Sequence, residues 1–279
     1  MRILLLGDIC GPAGMKIIKL KLQDIIKEKK IDFTIVNGEN AAENGKGITK
    51  KNFNDLISAG VDVITSGNHI WDQKEILEII DNEKKLIRPA NLLEGQPGNG
   101  YGIFEIKNKK IAVINLIGNV FMKKSQDLFP YTEKIMRKIK LKKDADFIII
   151  DLHGEITSEK MALGHYLDGK VTTVVGTHTH VPTSDTKILK NGTAYQTDLG
   201  MCGDYDSVIG MNKDNSIKKF KKDPTAESHF PANGQASISG VIVDADDLTG
   251  LANSINQIII GGNLKQKTWN GWTLSLGRY

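Results

Sequence analysis

Five short apolar runs in this chain are each followed at once by side chains that can ligate metals. Leu4-Leu5-Leu6 leads to Gly7-Asp8, Ile35-Val36 to Asn37-Gly38-Glu39-Asn40, and Val63-Ile64 to Thr65-Ser66-Gly67-Asn68-His69. Farther on, Ile148-Ile149-Ile150 leads to Asp151-Leu152-His153, and Val174-Val175 to Gly176-Thr177-His178-Thr179-His180. Imidazole nitrogens, carboxylate oxygens and amide carbonyls without thiolates suit zinc, manganese or iron. On extended backbone His178 and His180, two residues apart, face the same side, so one strand end offers two nitrogens. Each residue alone has an ordinary explanation, since aspartate caps helices and asparagine forms turns. Ligand types at five successive strand ends ask for a shared one, because carboxylates and imidazoles buried together are costly to desolvate.

Positioning these residues requires strands and helices in alternation, the pattern of an α/β fold. Strand-like runs at 3–6, 33–36, 61–65, 147–150 and 171–175 are separated by helical patterns at 13–29, 53–59, 73–80, 131–141 and 155–167. The first helix carries Ile17, Ile18, Leu22, Ile25 and Ile26 on its buried face. Runs 101–106 and 110–116, joined by Asn108-Lys109, predict a hairpin. The last third holds strand candidates at 238–243 and 255–260 and reads as a second sheet, while 95–100 and 212–233 read as surface loops. With no repeat and no linker, the expectation is a single domain over 1–279. In open α/β sheets ligands bind beyond the carboxyl ends of the strands, which would let all five segments meet on one rim.

Composition narrows the class. The 279 residues, 40% hydrophobic and 25% charged, exclude a disordered or fibrous chain. A net charge of +4 is too small to indicate nucleic-acid binding by itself, and the lysines clustered at 27–30, 107–110 and 218–222 read as solvated faces. Cys10 and Cys202 alone build neither a disulfide framework nor a thiolate zinc motif, which suits a reducing compartment, and the cytoplasm is the expected location. The apolar run at 3–6 is too short for a secretory segment, and no membrane span is expected.

The ligand motifs taken together resemble the calcineurin-like metallophosphoesterases, whose signature runs GD, a bridging acid near GEN or GD, GNH, a later histidine and GTHTH. Here these are Gly7-Asp8, Gly38-Glu39-Asn40, Gly67-Asn68-His69, His153 and Gly176-Thr177-His178-Thr179-His180. Two departures narrow the resemblance: the usual D-x-H opening is Asp8-Ile9-Cys10, and the bridging acid is Glu39. Both are similar to the YmdB-type branch, described as bacterial cyclic-nucleotide phosphodiesterases, as are Val181-Pro182-Thr183 and Thr197-Asp198-Leu199-Gly200-Met201.

The resemblance implies a four-layer α/β/β/α sandwich with two mixed sheets. It implies two divalent or trivalent metal ions, iron or manganese first and zinc next. Asp8, Glu39, Asn40 and His180 would hold one, and Glu39, Asn68, His153 and His178 the other, with Glu39 as bridge and Cys10 outside both sets. A water shared by the ions would attack phosphorus while His69, oriented by Asp72, gives a proton to the leaving oxygen. The implied substrate is a small phosphodiester, a 2′,3′- or 3′,5′-cyclic nucleotide. A phosphomonoesterase, an RNA nuclease using the same site, and a non-catalytic nucleotide sensor stay open as alternatives, as does a homo-oligomer. A basic residue is expected near Asn119 and an aromatic one near His165, so substrate contacts differ from the branch there; His165 and His229 themselves read as ordinary helix and loop residues.

Overall fold

Successive residues of the first strand are apolar, which suits a strand covered on both faces. In the computed structural model, which describes residues 1–264, Ile3 and Leu5 pack toward a second sheet, while Leu4 and Leu6 pack under helices. The single-domain expectation extends to residue 279, and its part over 265–279 lies outside the described residues.

The chain runs through β1 (Arg2–Cys10), α1 (Gly11–Lys29), β2 (Phe33–Asn40), α2 (Lys50–Ser58) and β3 (Val63–Thr65). A 3₁₀ turn (Lys74–Glu78) precedes the hairpin of β4 (Tyr101–Ile106) and β5 (Lys109–Ile117), followed by α3 (Leu128–Lys138), β6 (Phe147–His153), α4 (Thr157–Leu167) and β7 (Thr173–Thr177). Next come β8 (Lys187–Ile188), β9 (Ala194–Gln196), β10 (Met201–Asp204), α5 (Lys213–Phe220), β11 (Ala236–Ala245) and β12 (Ala252–Ile260).

Two six-stranded sheets result, ordered β12-β11-β10-β1-β2-β3 and β4-β5-β6-β7-β9-β8. Both are mixed: β1, β2 and β3 run parallel while β11 lies antiparallel to β1, and β5, β6 and β7 run parallel while β4 lies antiparallel to β5. The core between the sheets takes Ile3, Leu5, Phe33 and Ile35 from one and Ile111, Val113, Phe147 and Ile149 from the other. Outside the first sheet Leu4, Leu6 and Val36 pack with Ile18, Leu22 and Ile25 of α1; outside the second, Ile148 and Ile150 pack with Leu163 and Leu167 of α4. Each such side chain contributes about 1.5–3 kcal/mol when fully buried, so the central strands are fixed from both faces. The four-layer α/β/β/α expectation holds.

Four local expectations change. The last third is not a second sheet: β11 pairs with β1 from Arg2↔Asp244 to Leu6↔Gly240 and carries β12 with it, while the second sheet comes from the middle of the chain. The segment 73–80 closes only the 3₁₀ turn. The helix expected over 131–141 begins at Leu128, because Pro130 falls in its first turn, where a missing N–H lacks an intrahelical partner anyway. The loop expected over 212–233 contains α5, capped by the Asn212 side chain, which accepts from the Asn215 N–H. The hairpin forms with Lys107 and Asn108 as its two turn residues, both at positive φ, as a type I′ turn needs. Among the described residues no helix is long and apolar enough to cross a membrane.

Candidate metal centre

The ends of β1, β2 and β3 from one sheet and of β6 and β7 from the other meet, so the rim is shared by two sheets. Asp8 lies where the β1–β2 register shifts on either side of it, an irregularity that re-aims a side chain. Gly67 follows β3 where a Cβ would collide with Glu39 Oε2 and His153 Nε2, so only glycine lets this backbone approach the cluster. Asp8, Glu39 and His153 are at most 1% exposed.

Around His153 the contacts are unusual in kind. Its Nε2 lies 2.6 Å from Glu39 Oε2, 3.2 Å from Asn68 Oδ1 and 3.0 Å from His178 Nδ1. The protons of both rings are used elsewhere. His153 Nδ1 donates to Thr177 Oγ1 at 2.9 Å, because that hydroxyl gives its own proton to Asp151 Oδ1 at 2.8 Å. His178 Nε2 faces Glu155 Oε2 at 3.1 Å. Once Glu39 is ionised, four lone-pair atoms therefore converge. The ligand atoms of Glu39, His153 and His178 all lie within 4.8 Å of one another.

A second group forms beside it. His180 Nδ1 donates to the Ile209 carbonyl at 2.7 Å, which turns Nε2 toward Asn40 Oδ1 at 3.2 Å and Asp8 Oδ1 at 3.9 Å. The Asn40 amide is oriented by donating Nδ2 to the Gly45 carbonyl at 2.8 Å, so its oxygen faces the ring. Here too only acceptors meet. Asp8 Oδ2 takes the His178 backbone N–H at 3.1 Å, whereas Asp8 Oδ1 and Glu39 Oε2 are buried without a hydrogen-bond partner. The other such atom among the described residues is Glu159 Oε2, beside Gly118. Unpaired buried carboxylate oxygens facing lone pairs fit a pair of cations, so the residues present suit metal ions.

The electrostatics agree. Burial pushes the Asp8 carboxyl up to about 6, against the pull of His180 and His153, and the Glu39 carboxyl up to about 7, against His69. Burial pushes His153 and His178 down to about 3, so both rings are neutral with free lone pairs at ordinary pH.

The structure brings all seven expected ligands together, with one correction in how it does so. His178 and His180 do not share one face of an extended strand: β7 ends at Thr177, and the two histidines adopt φ of 103° and 64°. The turn sends His178 to His153 and His180 to Asn40. It is fastened from beneath by Lys160, 1% exposed, whose Nζ donates to the Thr177 carbonyl at 2.9 Å and to Asp198 Oδ2 at 2.8 Å. That carboxylate oxygen also accepts from Thr179 N–H and Oγ1–H at 3.1 and 2.7 Å.

His69 stands outside both groups. Its backbone N–H donates to Glu39 Oε1 at 3.1 Å, its Nδ1 lies 2.7 Å from Asp72 Oδ2, and its side chain lines the cavity above the cluster. Cys10 faces Gly210 instead of the ligands, and burial pushes its thiol up to about 12. Asn119 is occupied by its own loop, donating to Ser125 Oγ and the Gln126 carbonyl and accepting from Leu128 N–H. In the same loop Lys123 Nζ donates to the Asn68 carbonyl at 2.6 Å. His229 is a loop residue, as expected, yet it lines the cavity.

Sequence reasoning missed the residues behind the ligands. Asp151 accepts from Thr65, Thr177 and Asn37, joining strands of both sheets. Its signal was available, since Asp151 and His153 alternate on β6, as Asn37 and Glu39 do on β2. The Ile209 carbonyl behind His180 carried no sequence signal.

The cavity above these groups measures about 400 Å³. It is lined by Glu39, Asn40, His69, His178 and His180 together with the apolar side chains of Val208, Ile209, Met211 and Phe220.

Comparison with known proteins finds relatives over most of the chain. The family described as YmdB-like protein matches residues 4–258. The 2′,3′-cyclic-nucleotide 2′-phosphodiesterase of Bacillus subtilis (strain 168) is 45% identical over 260 residues, covering 93% of this chain and 97% of that protein. A crystal structure of a hypothetical protein from Thermus thermophilus superimposes with a TM-score of 0.87 at 36% identity, covering 94% of this chain and all of that one. A crystal structure described as a novel phosphatase, from Mycoplasma pneumoniae, gives 0.86 at 38% identity, covering 94% and 93%. The chain thus belongs to the YmdB-like family.

Proposed function

We propose that this chain is a two-metal phosphodiesterase that hydrolyses cyclic nucleotides, with 2′,3′-cyclic nucleotides as its substrates. The observation that carries the reading is the pair of adjacent groups in which only lone-pair atoms converge. Glu39, Asn68, His153 and His178 would hold one ion, and Asp8, Asn40 and His180 the other, with Glu39 between them. The name of the Bacillus subtilis relative supports the substrate. Oxygen and nitrogen donors without thiolates favour iron or manganese and tolerate zinc. Bound there, the ions would supply Lewis acidity toward phosphoryl oxygens and lower the pKa of water to about 7.

The remaining steps belong to the chain's own residues. Only Asp8 and Glu39 are anionic among the seven ligands, so a site holding two divalent ions keeps a positive charge that attracts a phosphodiester. His69 is held through Nδ1 by Asp72, which leaves Nε2 to give a proton to the departing ribose oxygen. Lys123, beside Asn68 and Asp72, adds a cation at the same edge. The two buried free cysteines suit a reducing compartment, and we assign the protein to the cytoplasm.

The test is turnover of 2′,3′-cyclic and 3′,5′-cyclic nucleotides, a phosphomonoester and long RNA by the metal-loaded protein and by His69→Ala. The 2′,3′-cyclic compounds should be preferred, and His69→Ala should lower kcat by about 10²–10⁴-fold with metal content unchanged. Unaltered turnover in His69→Ala, or nucleotide binding without turnover in the wild type, contradicts the reading.

A further inference from the structure

The cavity over the ligands has an apolar wall that the hydrolytic chemistry does not use. Phe220 is 82% exposed and Ile209 is 54% exposed, yet both line this cavity. The fold gives Phe220 no reason to be aromatic. Its helix α5 is held by the Asn212 cap and by Asn215, whose side chain donates to the carbonyls of Glu227 and Ser228. The wall is also registered to the ligands, because the residue whose carbonyl orients His180 is Ile209 itself.

We propose that Phe220 and Ile209 form a shelf that takes the nucleobase of a cyclic nucleotide while its phosphate lies at the metal end of the cavity, an inference that rests on the activity proposed above. Every base has a π-face, and an exposed aromatic ring offers it a stacking partner. A cavity of about 400 Å³ falls in the range of small-molecule sites, about 300–1,000 Å³. Lys46, which also lines the cavity, favours an anionic ligand over a neutral one. Because the shelf is apolar, it separates nucleosides from base-free phosphodiesters and discriminates little among bases.

The experiment is steady-state kinetics of the metal-loaded full chain on 2′,3′-cyclic AMP and on methyl riboside 2′,3′-cyclic phosphate, which lacks the base. Wild type should prefer cyclic AMP in kcat/KM by about tenfold or more, with the difference in KM. Phe220→Ala should remove the preference, and Phe220→Trp should keep it. A preference that survives Phe220→Ala, or its absence in the wild type with both compounds turned over, overturns the shelf. Turnover of neither compound by the wild type overturns the activity beneath it, and the shelf with it.

Discussion

His153 and His180 are both oriented through Nδ1, but by different parts of the molecule. Behind His153 stand Thr177, Asp151, Asn37 and Thr65, all buried side chains on strands of both sheets. Behind His180 stands one backbone carbonyl, that of Ile209, at φ 48° in the loop after β10. The first arrangement forms only when the core forms, since its members sit on strands packed from both faces. The second depends on how a surface segment lies. One end of the site is therefore fixed by the fold, while the other is adjustable and coupled to the wall that carries Phe220.

The comparison can be broken from either side. Thr177→Val removes the hydroxyl that takes the His153 proton and feeds Asp151, and metal affinity at that end should fall by about 10–100-fold, read by chelator competition. The same variant deprives a buried carboxylate of a donor, which costs about 1–3 kcal/mol of stability in urea unfolding. Gly210→Ala should act at the other end and more weakly. Gly210 sits at φ +91°, and a Cβ there would press on Cys10 Sγ, displacing the neighbouring Ile209 carbonyl. A loss of about tenfold or less in one metal-binding event, with the other retained, is expected. Equal losses at both ends in either variant would mean that the two halves are not independently supported.

How much of this was legible in the sequence follows from the same division. Strand ends at Asp8, Glu39, Asn68 and His153 stood out because their strands are covered on both faces and read as unbroken apolar runs. Their capacity to offer lone pairs follows from residue type alone. The turn at His178 and His180 could not, because positive φ at a non-glycine residue is imposed by the Lys160–Asp198 pair beneath it. Nor could the role of Ile209, since a backbone carbonyl has no sequence signature. The helix α5 was hidden because its hold is a cap and two carbonyl contacts instead of an apolar stripe. The sheet to which β11 belongs is decided by its long-range pairing with β1, which periodicity does not report.

If two groups of lone-pair atoms hold two metal ions, calorimetric titration of the metal-stripped protein with manganese will register both. The Asp8 and Glu39 carboxyls, pushed up to about 6 and about 7 without metal, must lose their protons to bind, while His153 and His178 are already neutral. Affinity should therefore rise with pH through 6 and 7 and level off above, with proton release at pH 6 that fades by pH 8. Two ions should bind per chain at pH 8, and more weakly at pH 6. A single ion per chain, or binding that is unchanged between these pH values, would contradict it.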